Sequence, residues 1–381
     1  MKKVAIIGAG ISGLFIANLF KRNSNYQITI YEKSNSISLE EGYGVQLSVN
    51  SIKLLNEIGF KELRNNEKFN PEKINFYSSR NLKKICELNI ANFNTDDCSY
   101  TTLKRSTLID FLKKDLGNLI KTDYNISKIE QHSKQINLSF ENDETDECDY
   151  LIISDGVFSK SKSLISNYES KPKYNDTLAI RGILTKSPEN IDNKNISLFL
   201  DSDFHQVIYP TNASGDLNFI AIMKYQLSID QGKNHSLFSD NSFVQKVLEK
   251  IPLENKKFLD NLSELKIFPV FVSENFYKIQ NNNIHLIGDA FFALPPSFAQ
   301  GASQSIEGAY ELFENIENNT KKDFFKNRVY KTKMVNIRSK FNQFIFHLSN
   351  PLTIFLRNIF LKILVKNRMF LNSYLGKIYK N

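Results

Sequence analysis

The chain has 381 residues, 41% of them hydrophobic and 24% charged, enough for two domains and a sizeable core. Its three cysteines, Cys86, Cys98 and Cys148, form no CxxC pair and no His–Cys cluster, so a reducing cytoplasm is expected and a disulfide framework or metal site is not. The net charge of +8 divides unevenly: residues 321–381 carry 14 Lys+Arg against Asp323 alone (+13), while the other 320 carry 35 bases against 40 acids (−5), so the basic balance belongs to the tail and does not mark a nucleic-acid-binding protein.

Met1-Lys2-Lys3 runs straight into "VAIIGAGISGLF". The glycines arrive too early for a signal-peptide core, and no small-residue cleavage site follows. No run of about 18 apolar residues predicts a transmembrane helix. "KVAIIGAGISGLFIANLF" reads as an apolar strand, a glycine turn and a helix of apolar spacing. Gly8, Gly10 and Gly13 make GxGxxG, with Ile11 and Ser12 at the mouth of the turn. Gly8 permits the tight turn, Gly10 lets backbone approach a pyrophosphate, and Gly13 lets helix and strand pack closely. The helix N-terminus offers amides and a positive dipole end to phosphates. A second strand, "YQITIYEK", ends in Glu32 and Lys33, and Glu32 stands 19 residues after Gly13, where an acid grips ribose hydroxyls. A ligand-free glycine turn is the alternative. An acid there favours FAD or NAD over NADP.

Further along, "KINFYSS", "TLAIRGIL", "HQVIYP" and "LNFIAIMKY" have strand-like composition. "HLIGDAFFALPPSFAQGASQS" (285–305) starts as a buried strand, breaks at Gly288-Asp289, crosses Pro295-Pro296 and restarts as a helix after Gly301. In "SNPLTIFLRNIFLKILVKNRMF" (349–370), Asn350 is placed as N-cap and Pro351 at the first helical position. Asn358, Lys362 and Lys366 fall on one face, with Leu352, Leu356, Ile359, Phe360, Ile363 and Leu364 opposite. Two readings follow: a helix packed back on the body with its lysines in water, or a basic amphipathic patch in weak peripheral contact with an anionic membrane.

Several segments in order resemble the group A FAD-dependent monooxygenases of the para-hydroxybenzoate hydroxylase fold, salicylate-hydroxylase-like branch. "GYGVQLSVNSIKLLNEIG" (42–59) is similar to their GxGIxLxxNxxxxLxxLG segment, which places Gly44, Val45 and Gln46 at the cofactor. "LKRSTLIDFLKK" (103–114) resembles their RxxLxxxL helix, with Arg105 as the cation. "CDYLIISDGVFSKSK" (148–162) resembles their DG motif, with Asp155 and Gly156, and "GDAFFALPPSFAQGASQSIEGAYEL" (288–312) their GD motif. "IRGIL" (180–184) and "HQVIYPTNASGDLNFIAI" (205–222) resemble the branch's RG and HxVxYP strands.

The resemblance implies an α/β fold: a Rossmann-type FAD-binding domain (1–70, 100–170 and 280–320), an inserted β-sheet substrate domain (71–99 and 171–279), and a basic C-terminal helical region (321–381). It implies that Gly288 and Asp289 hold the ribityl and pyrophosphate part of FAD, and that Pro295 and Pro296 stiffen the passage beneath the ring. Gly301, Ala302 and Ser303 then open a helix whose amides face the flavin. The activity implied is hydroxylation of a small aromatic or quinone-precursor ring through a flavin hydroperoxide, with NADPH or NADH as transient reductant. Reduction of isoprenoid double bonds and flavin binding without turnover are the alternatives. A flavin halogenase is disfavoured because the chain has no tryptophan for a WxWxIP motif. Candidate substrate-facing residues are Arg181, His205, Tyr209, Phe292, Leu294 and Pro295. Two positions depart from the pattern. Phe292 stands where a histidine is usual, and Lys162, three residues after Ser159, stands where an arginine is, which loses the bidentate fork.

Overall fold

Strand Lys2–Ile7 becomes the central strand of a five-stranded parallel sheet because its run Val4–Ile7 is hydrophobic on both faces, as a strand covered on both sides must be. Tyr26–Tyr31 and then Ile120–Lys121 lie on one side of it; Tyr150–Ile153 and then Ile284–Leu286 lie on the other. In this computed structural model, residues 1–37, 43–132, 135–165, 171–185, 191–318 and 323–379 are described, apart from the Lys233 side chain. Gly42, the first glycine of the 42–59 segment, lies outside them.

The glycine turn follows the central strand where the strand order switches direction, so the mouth of the turn opens between two diverging crossovers. Helix Ile11–Lys21 is almost wholly buried and packs against helix Gly301–Glu317. A three-stranded antiparallel sheet, Ile126–His132, Gln135–Phe140 and Thr145–Cys148, flanks this layer.

The second large sheet has seven strands, ordered Leu262–Val272, Lys173–Leu184, Leu217–Lys224, Phe204–Pro210, Ile196–Asp201, Lys73–Ser78 and Lys84–Asn89. Its pairs are antiparallel except Ile196–Asp201 with Lys73–Ser78. All four strand-like runs read from composition fall in it. One face buries Phe199, Phe219, Leu178 and Ile180 beneath helices 241–249 and 253–259. The other turns Ile196, Leu198, Val207 and Ile220 toward the first layer. A small sheet of Gly44–Leu47, Thr101–Lys104 and Lys68–Phe69 sits between the two.

The C-terminal region is built onto this body. Helix Phe324–Phe346, capped by the Asp323 carboxylate on the Lys326 amide at 3.1 Å, runs beneath the Pro296–Phe298 turn, where Ser339 donates to the Pro295 carbonyl at 2.6 Å. Asn350 accepts from the Leu352 amide at 2.9 Å and starts helix Pro351–Leu364, as its sequence predicts. Further on, Tyr379 is buried edge-on to Phe93 at 5.5 Å. Lys362 of helix Pro351–Leu364 and Lys366 beyond it are in water, and Leu364 is half-buried, but the rest of the apolar stripe is not packed down: Leu352, Leu356, Ile359, Phe360 and Ile363 are exposed, and the buried residue is Arg357. No described helix is long and apolar enough to cross a membrane.

Candidate cofactor and substrate site

The glycine turn is shaped by what cannot fit there. Gly8 adopts φ +100°, and a Cβ on it would meet the Ser154 carbonyl oxygen at 2.7 Å. A Cβ on Gly13 would run into the Gly8 carbonyl and the Ser154 hydroxyl. That hydroxyl donates to the carbonyls of Ile7 and Gly8 at 2.8 and 2.9 Å, tying the neighbouring strand to the turn. Gly10 is different: nothing lies within 4 Å of its Cβ position, so this is open space at a helix N-terminus, suited to a phosphate. Ile11 is half-buried at the helix start, and Ser12 is buried facing Gly288. Gly288 has φ +59°, and any side chain there would strike Ser12, so the two glycine motifs meet across the sheet.

The Glu32 carboxylate accepts from the amides of Ala9 at 2.9 Å and Ser34 at 3.1 Å, which fixes it beside the turn; Lys33 is exposed. Asp155 caps the next helix through the Ser161 amide and hydroxyl at 3.1 and 2.8 Å, leaving its Oδ1 buried without a partner. Lys162 is buried nearby, and burial lowers its pKa against the pull of Asp155. Asp289 opens the short helix Gly288–Phe292 in a buried position. Burial raises its pKa to about 6, opposed by the positive charge of Arg105.

Helix Gly301–Glu317 points its N-terminus into the same space. The amides of Gly301, Ala302 and Ser303 have no carbonyl partner within the helix. The Cβ position of Gly301 also faces open space. The Ser303 side chain turns the other way and meets Ser48 and Ser51 at 3.1 and 2.9 Å. From there a buried polar network holds the helix: Asn50 donates to Glu307 at 2.7 Å, Lys331 pairs with Glu307 at 3.0 Å, and Arg328 with Glu311 at 3.2 Å. Arg328 and Lys331 come from the C-terminal region, and single-sequence reading missed them. "QSIEGAYE" gave the only signal, acids at helical spacing on a helix that is otherwise buried.

In front of Asp289 and Gly301 lies a cavity of about 710 Å³. One wall is Gly44, Val45, Gln46, Leu294, Pro295, Pro296 and Ala302; the opposite wall is the inner face of the seven-stranded sheet, with Ile196, Leu198 and Val207; the C-terminal helices flank the remaining side. A few polar groups converge near Gly44, where the two walls meet. The Arg181 guanidinium lies 5.6 Å from the Tyr43 ring centroid. Tyr100 donates to Gln46 at 2.8 Å. Gly44 backs onto Tyr209, where a Cβ would meet the ring at 2.7 Å, and its amide donates to Asn218 at 2.6 Å. Burial pushes the Tyr209 phenol up, opposed by Arg181, and keeps it protonated.

His205 lines the cavity, but its Nδ1 is hydrogen-bonded to Nε2 of His347 at 2.7 Å. Burial holds both imidazoles neutral, His205 well below its ordinary value and His347 at about 4. Phe292 does not line this cavity. It stacks on Phe276 at 4.3 Å within the core behind Asp289.

These residues fit a flavin dinucleotide: phosphate room at Gly10, a buried acceptor at Asp289, free amides at Gly301 and Ala302, and an apolar slot beyond. Residues 1–321 match the family described as FAD binding domain. The chain is 23% identical over 338 residues to 6-hydroxynicotinate 3-monooxygenase from Bordetella bronchiseptica, covering 83% of this chain and 82% of that protein. It is 23% identical over 346 residues to salicylate hydroxylase from Pseudomonas putida, covering 81% and 76%. Among solved structures, Klebsiella pneumoniae HpxO complexed with FAD and uric acid superposes with a TM-score of 0.85 at 15% identity, covering 99% of this chain and 96% of that one.

Proposed function

Since the chain belongs to the FAD binding domain family, and with it to the FAD-dependent monooxygenases of aromatic rings, we propose that it hydroxylates an aromatic ring carrying a large apolar body. The observation that supports this is the cavity. Arg181, Gln46 and Tyr209 supply polar groups near Gly44, most of the remaining lining is apolar, with Ile196, Leu198, Val207 and Ile220 among it, and the about 710 Å³ would be shared between the flavin ring and the substrate.

Gly8, Gly10, Gly13, Glu32, Arg105, Asp155, Gly288 and Asp289 would hold the dinucleotide. Gly44–Gln46, Pro295, Pro296 and Gly301–Ser303 would frame its ring. Bound FAD, reduced by NADH or NADPH, supplies the activation of dioxygen. The chain's own contribution is orientation and exclusion of water. The Gly301 and Ala302 amides favour negative charge at the ring edge. The sheet's apolar face keeps water from the reacting ring. The protonated Tyr209 phenol and Arg181 are placed to grip a polar substituent, so that the ring's position is set by that end. His205 is committed to His347 and serves the wall, not proton transfer.

The division into an FAD-binding domain, an inserted sheet domain and a C-terminal helical region belongs to the same proposal, and so does weak peripheral membrane contact through that region. The test uses FAD-loaded protein with NADH or NADPH and candidate aromatics with and without long alkyl or isoprenoid substituents. Substrate-stimulated oxygen consumption, with one atom of labelled dioxygen in the product and preference for the substituted rings, is expected. Oxygen-independent reduction of the substrate would replace this reading with a reductase. No turnover with any ring would leave a flavin-binding protein.

A further inference from the structure

Helix Pro351–Leu364 packs Leu361 on the body but leaves most of its apolar side chains in water. Arg357, the residue it buries, is 4% exposed, while Phe355 and Phe360 are 61% and 59% exposed. Burial lowers the Arg357 pKa to about 10, with Asp201 opposing the shift. The exposed apolar side chains Leu352, Phe355, Leu356, Ile359, Phe360 and Ile363 recur at helical spacing, so they form one continuous face. The inner side packs Leu361 on the core beside Arg357, so six large apolar side chains left outside are costly unless the outer face meets a non-aqueous neighbour.

The face is also the rim of the cavity. Leu356 and Phe360 line that cavity while remaining exposed, and so do Phe341 and Phe344 of the preceding helix. The mouth therefore lies between two helices whose outer residues are hydrocarbon. The two helices and the segment just after them carry exposed cations, Lys340, Lys362, Lys366 and Arg368. Asp323, the acid of this region, caps the far end of the long helix. From the neighbouring strand Lys84–Asn89, Glu87 is engaged by Lys73 and Lys84. The chemistry of the surface is an exposed apolar face on elements rich in exposed cations, complementary to an anionic lipid surface.

We infer that the protein docks on an anionic lipid bilayer through the outer face of helix Pro351–Leu364, with the cavity mouth opening into the lipid, so that an apolar substrate enters from the membrane. This rests on the cavity being the substrate site. The docking itself does not depend on turnover.

The experiment is co-sedimentation of the FAD-loaded protein with vesicles of phosphatidylcholine, alone or mixed with phosphatidylglycerol. The first variant is Phe355→Ser/Ile359→Ser/Ile363→Ser, three exposed positions that do not line the cavity. The second is Lys362→Glu/Lys366→Glu. The wild type is expected to pellet with the anionic vesicles at low salt and to be released as salt shortens the Debye length to about 8 Å or less. Removing three side chains that sit in lipid should weaken binding by about a hundredfold or more. Reversing two cations should weaken it on anionic vesicles by at least about tenfold and leave neutral vesicles unaffected. FAD absorbance and unfolding midpoint should match the wild type in both variants. Wild-type protein that stays in the supernatant overturns the inference, as does a triple variant that still pellets. A concentration-dependent dimer abolished by the triple variant, with no vesicle binding, would overturn it in favour of a second copy of the chain. Because binding is read without catalysis, these failures leave the monooxygenase reading standing, and absent turnover leaves the docking result standing.

Discussion

Replacing Asp289 with asparagine should make the FAD-free protein more stable and the FAD complex weaker. Asp289 is buried, and its pKa is raised from 3.8 to about 6 because burial disfavours the carboxylate more than Arg105 favours it. Between those two values the folded state keeps a proton that the unfolded chain has released. Stability is therefore lost as pH rises through this window, and it stays lost above pH 6. A shift of this size corresponds to about 3 kcal/mol at pH 8. The asparagine amide carries no charge to bury, so urea unfolding of the apoproteins should show Asp289→Asn ahead by up to about 3 kcal/mol at pH 8 and nearly level with wild type at pH 4. FAD binding should move the other way. A hydrogen bond to a charged acceptor is worth roughly 1.5–3 kcal/mol and a neutral one about 1, so the FAD Kd should rise about three- to thirtyfold. The same stability difference at pH 4 and pH 8, or unchanged FAD affinity, would refute the claim that Asp289 is a buried carboxylate awaiting donors from the cofactor.

Glu307→Ala leaves Arg328 and Lys331 buried at 3.6 and 3.0 Å from a vanished carboxylate, and should cost about 3–5 kcal/mol in urea unfolding; a loss under about 1 kcal/mol would mean the network is hydrated. Burial depresses the folded pKa of His347 to about 4, so its contribution to stability is present above pH 6.5 and is lost as pH falls toward 4. His347→Gln should therefore shrink the pH 7-to-5 stability loss by about 2 kcal/mol, leaving the slope due to His205 and His285, whose pKa values burial also lowers.

What could be read in the linear chain was what local chemistry dictates. The tight φ at Gly8, the open approach at Gly10, Glu32 at the end of the second strand and the Asn350-Pro351 helix start each follow from a residue and its immediate neighbours. The strand runs of the seven-stranded sheet were likewise legible, since alternation and β-branched composition are local properties. Tertiary closure decided the rest. His205 does line the cavity, but its Nδ1 is held by His347, 142 residues later, a partner no local pattern shows. Phe292 looked like part of the pocket until Phe276 stacked on it from behind. Periodicity showed that helix Pro351–Leu364 has an apolar stripe, but periodicity fixes only the angle between the stripe and the cations. Which side faces the body is set by distant partners, here Asp201 and the Phe346 carbonyl drawing Arg357 inward, and that left the hydrocarbon outside.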